Sequence, residues 1–346
     1  MKKILAAVIA ALVLTAGGLT AYTITGGRPV DPENKKDIYL EIPQGSTSSD
    51  IADKLENAGV IKSSMVFRIK AKIGGDAEKF QAGTYAFNKA MSTDRVIWVI
   101  ANGKVAGKSF HTTQGQATYK IAKALEEKDI CTVDEFFESC AADKFDYPFM
   151  DMLPKGENRF EGFLWPDSYN IPLKGGAWDA VNVMLKGFND NVYEKYKDEI
   201  SKKGLDFYKT IIKASVIEGE ASDPEDMAKV SSVIDNRLKK GMMLQMDSTL
   251  NYIQKEDKVI SSKSDTKAES AYNTYQHTGL PPGPICSPGE NAVKAAIAPA
   301  DTDYLFFVNS ARLDGTLTFT KTEAEHNKAV KKFEKAYSEY QKKNSD

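Results

Sequence analysis

IPQGSTSSDIADKLENAGVI, residues 42–61, returns at 112–131 as TTQGQATYKIAKALEEKDIC, a constant offset of 70 residues. Gly45 aligns with Gly115, Ile51-Ala52 with Ile121-Ala122, and Leu55-Glu56 with Leu125-Glu126. Further along, Phe67 aligns with Phe137. In the first copy Ile51, Leu55 and Ala58 recur at i, i+4 and i+7, one apolar stripe along a helix. Gly45 stands where a tight strand-to-helix connection needs a residue free of Cβ restrictions. Each copy therefore reads as a short strand, a glycine turn and an amphipathic helix. FQAGTYAF (80–87) and RVIWVIANGK (95–104) supply strand and helix that close the first unit. The simplest account is two small α+β modules in tandem, one over 37–106 and a second half-repeat over 107–157.

Upstream of the repeat, Lys2 and Lys3 precede Ile4–Ile24, a run without a charged residue. As a helix this run is about 31 Å long, close to the hydrocarbon thickness of a bilayer. A cleaved signal peptide is the competing assignment, but its apolar region is shorter and ends in a small-x-small site, for which Leu19-Thr20-Ala21 is poor. The expectation is a retained single-pass anchor over 4–24. A cytoplasmic tail over 1–3 precedes it, and the bulk of the chain lies on the extracytoplasmic face. TGGRPVDPENKK (25–36) reads as a juxtamembrane linker.

Downstream, 158–346 reads as one α+β domain. KTIIKASVIEGEA (209–221) is a predicted helix, and PEDMAKVSSVIDNRLKKG (224–241) is a second. Asp223 is placed to cap the second helix, Pro224 fits its first position, and Glu225 and Asp226 favour its N-terminus. Met227, Val230, Ile234 and Leu238 form its apolar stripe, and Gly241 ends it. YLFFVN (304–309) and TLTFTK (316–321) read as a β-hairpin, and a charged helix follows from Glu323.

Composition narrows the chemistry. Lys and Arg number 46 against 48 Asp and Glu, for a net charge of −2 over 346 residues. No concentrated basic surface points to nucleic acid. Cys131, Cys140 and Cys286 are an odd number without CxxC spacing, which argues against a disulfide framework. His111, His277 and His326 are scattered, so neither a metal site nor a cofactor is expected.

One carboxylate stands out. On the helix ending Ser215-Val216-Ile217-Glu218-Gly219-Glu220, Glu218 shares a face with Ile211 and Ala214, whereas Glu220 lies about 200° further round. Burial on an apolar face raises a carboxyl pKa, as a general acid at neutral pH requires. Gly219 would let a ligand approach the backbone closely. A structural role, with Glu218 paired to a buried Arg237, remains open on the helix alone. A second cluster, Tyr272-Asn273-Thr274-Tyr275, combines aromatic faces with amide and hydroxyl groups suited to sugar rings. It runs into Gly279-Leu280-Pro281-Pro282-Gly283-Pro284-Ile285, a stiff loop able to form a groove wall.

In order and spacing, FEGFLWPDSY (160–169), ASVIEGEA (214–221), VIDNRLKKGMMLQMDST (233–249) and YNTYQHTGLPPGPICSPG (272–289) resemble the signatures of the endolytic murein transglycosylases, the YceG-like family. The tandem modules loosely resemble LysM-like glycan-binding units, and spacers that hold the rest away from the membrane are the alternative. The family resemblance implies an anchored lytic transglycosylase that cuts peptidoglycan glycan strands between N-acetylmuramic acid and N-acetylglucosamine. It implies Glu218 as catalytic acid/base, and glycan positioning by Asn236, Arg237, Gln245, Tyr272, Asn273 and Tyr275. Asp247 is a candidate electrostatic stabiliser. The resemblance also implies work beside penicillin-binding peptidoglycan synthases, limiting strand elongation. Gln114 departs from the family, which usually carries an acidic residue before that glycine. A non-catalytic glycan-binding scaffold and a hydrolytic muramidase are the alternatives.

Overall fold

The computed structural model describes residues 22–142, 144–256, 258, 262 and 264–343. The anchor expected over 4–24 lies, except for its last three residues, outside the described residues. Residues 22–26 are helical. No helix among the described residues is long and apolar enough to cross a membrane. The chain divides into two units, one ending at Lys108 and including Pro172–Lys174, the other formed by Ser109–Ile171 and the chain from Gly175. Secondary structure is mixed, and each sheet has two strands.

In the first unit β1 (Ile38–Ile42) leads through Gly45 into α1 (Ser48–Asn57) and α2 (Ser64–Gly74), followed by β2 (Gly83–Phe87) and α3 (Thr93–Ala101). β1 and β2 are antiparallel, with Ile38 opposite Phe87 and Ile42 opposite Gly83. Thr47 and Asp50 form a reciprocal capping box at the start of α1. Ile51, Ala52 and Leu55 point from α1 into a core with Phe67, Tyr85, Phe87, Val96 and Ile100.

The second unit repeats this opening. β3 (Gly107–His111) leads through Gly115 into α4 (Thr118–Glu127) and α5 (Val133–Ala141). The shared Leu-Glu pair has the same use in both copies. Leu55 and Leu125 are fully buried. Glu56 accepts from Ser64 N at 3.2 Å, and Glu126 accepts from Val133 N at 3.1 Å, each satisfying a free donor at the start of the next helix. The copies lose register after Val60 and Ile130: the caps of α2 and α5 are Ser63 and Thr132, one residue closer in the second copy. Phe136, not Phe137, therefore takes the fully buried place of Phe67.

β3 pairs with β4 (Ser168–Pro172). The remaining elements are α6 (Ala177–Phe188), α7 (Glu194–Lys202), α8 (Phe207–Glu220), α9 (Pro224–Lys239), α10 (Asp247–Gln254), α11 (Glu290–Ile297), β5 (Phe306–Asn309), β6 (Leu317–Thr320) and α12 (Glu323–Lys343). The sequence reading separates 107–157 from 158–346. In the structure Ile121, Leu125 and Phe136 share one core with Phe160, Leu164, Val181 and Ile217. The second copy is thus built into the larger unit: β3 pairs with β4 from the following segment, and its apolar helix faces bury in that segment's core.

α8 is the hub, packing against α7, α9, α10 and α11. It is buried continuously from Thr210 to Ile217, so its polar residues need partners. Lys213 pairs with Asp235 at 2.6 Å, and Ser215 Oγ donates to Ile212 O. Asp223 caps α9, accepting from Glu225 N and Asp226 N, with Pro224 at the first position. β5 and β6 form the expected hairpin, with Phe306 opposite Thr320, and α12 lies along it.

Candidate active site

The C-terminal end of α8 presents two carboxylates in different directions, as about 100° per residue requires. Glu218 turns toward the start of α11, where its Oε2 accepts from Gly289 N at 2.9 Å. Burial pushes its pKa above the usual carboxylate range, and the Gly289 N–H partly offsets this. Arg237 is not its partner. The guanidinium donates instead to the carbonyls of Leu305, Met243 and Leu244, at 2.6, 2.9 and 2.8 Å.

The loop from Gly283 to Gly289 is buried along its whole length. Ile285 N donates to Ser215 Oγ at 3.0 Å, and the Cys286 thiol donates to Ser215 O at 3.3 Å, so α8 holds the loop that in turn holds Glu218. The Pro284 ring fills the space beside Gly162, where a Cβ would collide with it. The expected stiff groove wall is a buried brace in this segment. Cys286 is free, and burial raises its thiol pKa well above normal.

The second glycine turn closes the site from the other side. Gly115 N donates to Ser287 O and Ser287 N to Gln116 O, both at 2.9 Å. Gly115 has φ +81°, and a Cβ there would lie 3.9 Å from Glu218 Cγ. Behind the turn, Glu161 is 4% exposed and accepts from Thr118 N, at the start of α4, at 3.0 and 3.2 Å. Burial raises its pKa to about 7, against the lowering effect of the Thr118 and Gly162 N–H groups and the Tyr252 hydroxyl. Tyr252 bridges Glu161 and Tyr272, and the rings of Tyr252 and Tyr272 stand 5.0 Å apart.

Glu220 opens on the opposite side into a cleft of about 600 Å³, lined also by Arg237, Gln245, Asp247, Tyr275 and His326. Ser248 N donates to Glu220 Oε1 at 3.0 Å, and the Tyr275 hydroxyl donates to Asp247 Oδ1 at 2.6 Å. Burial raises the Glu220 pKa to about 7, opposed by hydrogen bonds from Ser248 and reinforced by Asp247. Gly219, expected to admit a ligand, is exposed and lines this cleft, while the direction a side chain would take is filled by protein. A Cβ on it would stand 2.6 Å from Ser248 Cβ, so the glycine lets α10 pack on α8.

The remaining residues singled out in the sequence divide by environment. Gln245 is exposed, with φ +52°, and its Oε1 accepts from Arg237. Asn236 spends its amide on Thr302 O and Tyr304 O, at 2.9 and 3.0 Å. Asn273 is fully buried and donates to Thr266 O and Ala268 O, while its Oδ1 accepts from Tyr275 N. These two amides brace loops. Tyr272 is half-buried, its hydroxyl against Gly283. Gln114, Gly289 and Glu161 at the site went unassigned in the sequence. Glu161 lies inside a quoted motif, but no local pattern shows that it meets the N-terminus of α4.

The sequence profile of the YceG-like family matches residues 40–332. A protein of Bacillus subtilis (strain 168) named endolytic murein transglycosylase is 36% identical over 334 residues, 92% of this chain and 91% of its own. A Streptococcus pneumoniae serotype 2 protein of the same name is 28% identical, and the match covers 92% of this chain and 62% of that protein. Among solved structures, a Listeria monocytogenes protein described as yceG-like matches with a TM-score of 0.57 and 32% identity, over 85% of this chain and 99% of that one.

Proposed function

The chain belongs to the YceG-like family, and we propose that it is a peptidoglycan lytic transglycosylase with Glu218 as its acid/base. The observation that carries this is the setting of Glu218, a carboxyl with a raised pKa held by one backbone N–H beside an exposed turn. Because Gly289 N–H engages Oε2, the other oxygen is left to carry the proton. Protonated Glu218 donates to the glycosidic oxygen between N-acetylmuramic acid and N-acetylglucosamine. The resulting carboxylate takes the proton of the substrate's C6 hydroxyl as that oxygen closes on C1. The products are a 1,6-anhydro end and a free hydroxyl on the leaving sugar, with no water consumed. Ordinary glycosidases need a second carboxylate as base or nucleophile. Here the substrate supplies the nucleophile, and positioning replaces that group.

The cleft lined by Arg237, Gln245 and Tyr275 suits continuation of the strand beyond the cut, with Asp247 and Glu220 on its floor. Asn236, Asn273 and Tyr272 act there through the loops they brace. The apolar run at 4–24 is assigned as the membrane anchor, the tandem modules as LysM-like glycan contacts, and neighbouring penicillin-binding synthases as the source of the nascent strands. Digestion of purified peptidoglycan by the full-length protein and its Glu218→Gln variant, with products identified by mass spectrometry, tests the assignment. Anhydro-ended fragments from wild type, slowed by roughly 10²–10⁴ in the variant, are expected. Reducing ends would make it a muramidase, and no cleavage by either protein would leave a scaffold.

A further inference from the structure

We propose that Gln114 is a substrate-contacting residue of this site, binding the sugar beside the bond that Glu218 protonates. The assignment rests on the acid/base role of Glu218 and extends it to the second repeat.

Three observations carry it. The first is proximity. A Cβ placed on Gly289 would overlap Gln114 Oε1 and stand 3.3 Å from Glu218 Oε2, so the carboxamide and the carboxyl flank one point. The second is rigidity. The turn that carries Gln114 is fixed by the paired hydrogen bonds of Gly115 and Gln116 to Ser287, and by Thr113 N donating to Gln116 Oε1 at 3.0 Å. The third is availability. Gln114 is exposed, and its carboxamide makes no hydrogen bond among the described residues. A side chain held beside an acid with donor and acceptor both unspent matches the hydroxyl and acetamido groups of a glycan.

The first repeat serves as an internal control. Gln44-Gly45 occupies the equivalent turn, and Gly45 has φ +80° against +81° for Gly115. Yet nothing among the described residues lies within 4 Å of a Cβ on Gly45, and Gln44 lines an open pocket with Pro43, Phe80 and Gln81. The same dipeptide in the same turn therefore meets a carboxyl in one copy only. A neutral amide at 114 also leaves the proton affinity of Glu218 to burial, where a carboxylate would add a like charge beside it.

The test uses the full-length protein on soluble, uncross-linked glycan strands, with anhydro-end formation followed for wild type, Gln114→Ala, Gln44→Ala and Glu218→Gln. Loss of one or two hydrogen bonds to substrate predicts that kcat/KM falls about 10- to 100-fold in Gln114→Ala. Its unfolding midpoint should match wild type, because the side chain braces nothing. Gln44→Ala should lose clearly less than Gln114→Ala, because no carboxyl stands beside its turn. A Gln114→Ala rate within about twofold of an active wild type would overturn the contact, as would an equal loss in Gln44→Ala. A wild type that yields no anhydro ends would overturn the role of Glu218 and this contact together.

Discussion

Replacing Gly219 by Ala sets two effects of opposite sign against each other. Near the end of α8, propensity alone favours Ala over Gly by up to about 1 kcal/mol. Packing opposes it. The new methyl would stand 2.6 Å from Ser248 Cβ and 3.2 Å from its Oγ, with Ile285 Cδ1 at 3.7 Å. Ser248 Cβ is fixed to the backbone of α10, so no rotamer relieves the contact and the helix itself must move by most of an ångström. Overpacking of this kind costs about 1–3 kcal/mol, so with the full propensity gain subtracted the net change is a loss of up to about 2 kcal/mol. For a unit of this size that lowers Tm by up to roughly 8 °C. The Ser248 N–H that holds Glu220 moves with the helix, so activity should fall as well. Thermal unfolding by circular dichroism, beside a Gly219→Ala/Ser248→Gly double variant, checks the cause. Removing the Ser248 Cβ should restore most of the lost stability, a coupling that independent sites do not show. A Gly219→Ala protein more stable than wild type would refute the close packing of α8 on α10.

Arg237→Met keeps the length of a buried side chain but strands the carbonyls of Leu305, Met243 and Leu244, and urea unfolding should show a loss of about 2–4 kcal/mol. Glu161 makes stability depend on pH. Its folded pKa of about 7 lies above the ordinary 4.5, so its contribution is fully present below pH 4.5 and lost as pH rises to about 7. Glu161→Gln should flatten the stability curve across that window by about 1–3 kcal/mol, and an unchanged slope would deny the buried carboxyl its role.

Much of the fold was legible because its signals are local. The repeat was visible as residues at one spacing, and Leu55 and Leu125 are both buried where the stripe put them. Asp223, Pro224 and Gly241 bounded α9 through groups only a few residues apart. The divergence of Glu218 and Glu220 followed from helical geometry alone. Chemical type without position leaves a partner unspecified. Asn236 and Asn273 each spend the amide on backbone carbonyls, a use that depends on loops folding over them.

By itself, then, the sequence determined the two-copy opening, the helices with their caps, the hairpin and the divergent directions of Glu218 and Glu220. Periodicity, capping and turn conformation act within a turn or two of chain, so they can be read in one dimension. Only the tertiary structure decided that the second glycine turn, and not the first, stands against Glu218. Only there do Gly289 and Ser215 secure the loop between them, and only there does the missing Cβ of Gly219 make room for α10. Those pairings join distant segments through close packing, and which segments meet depends on burying all the apolar faces at once.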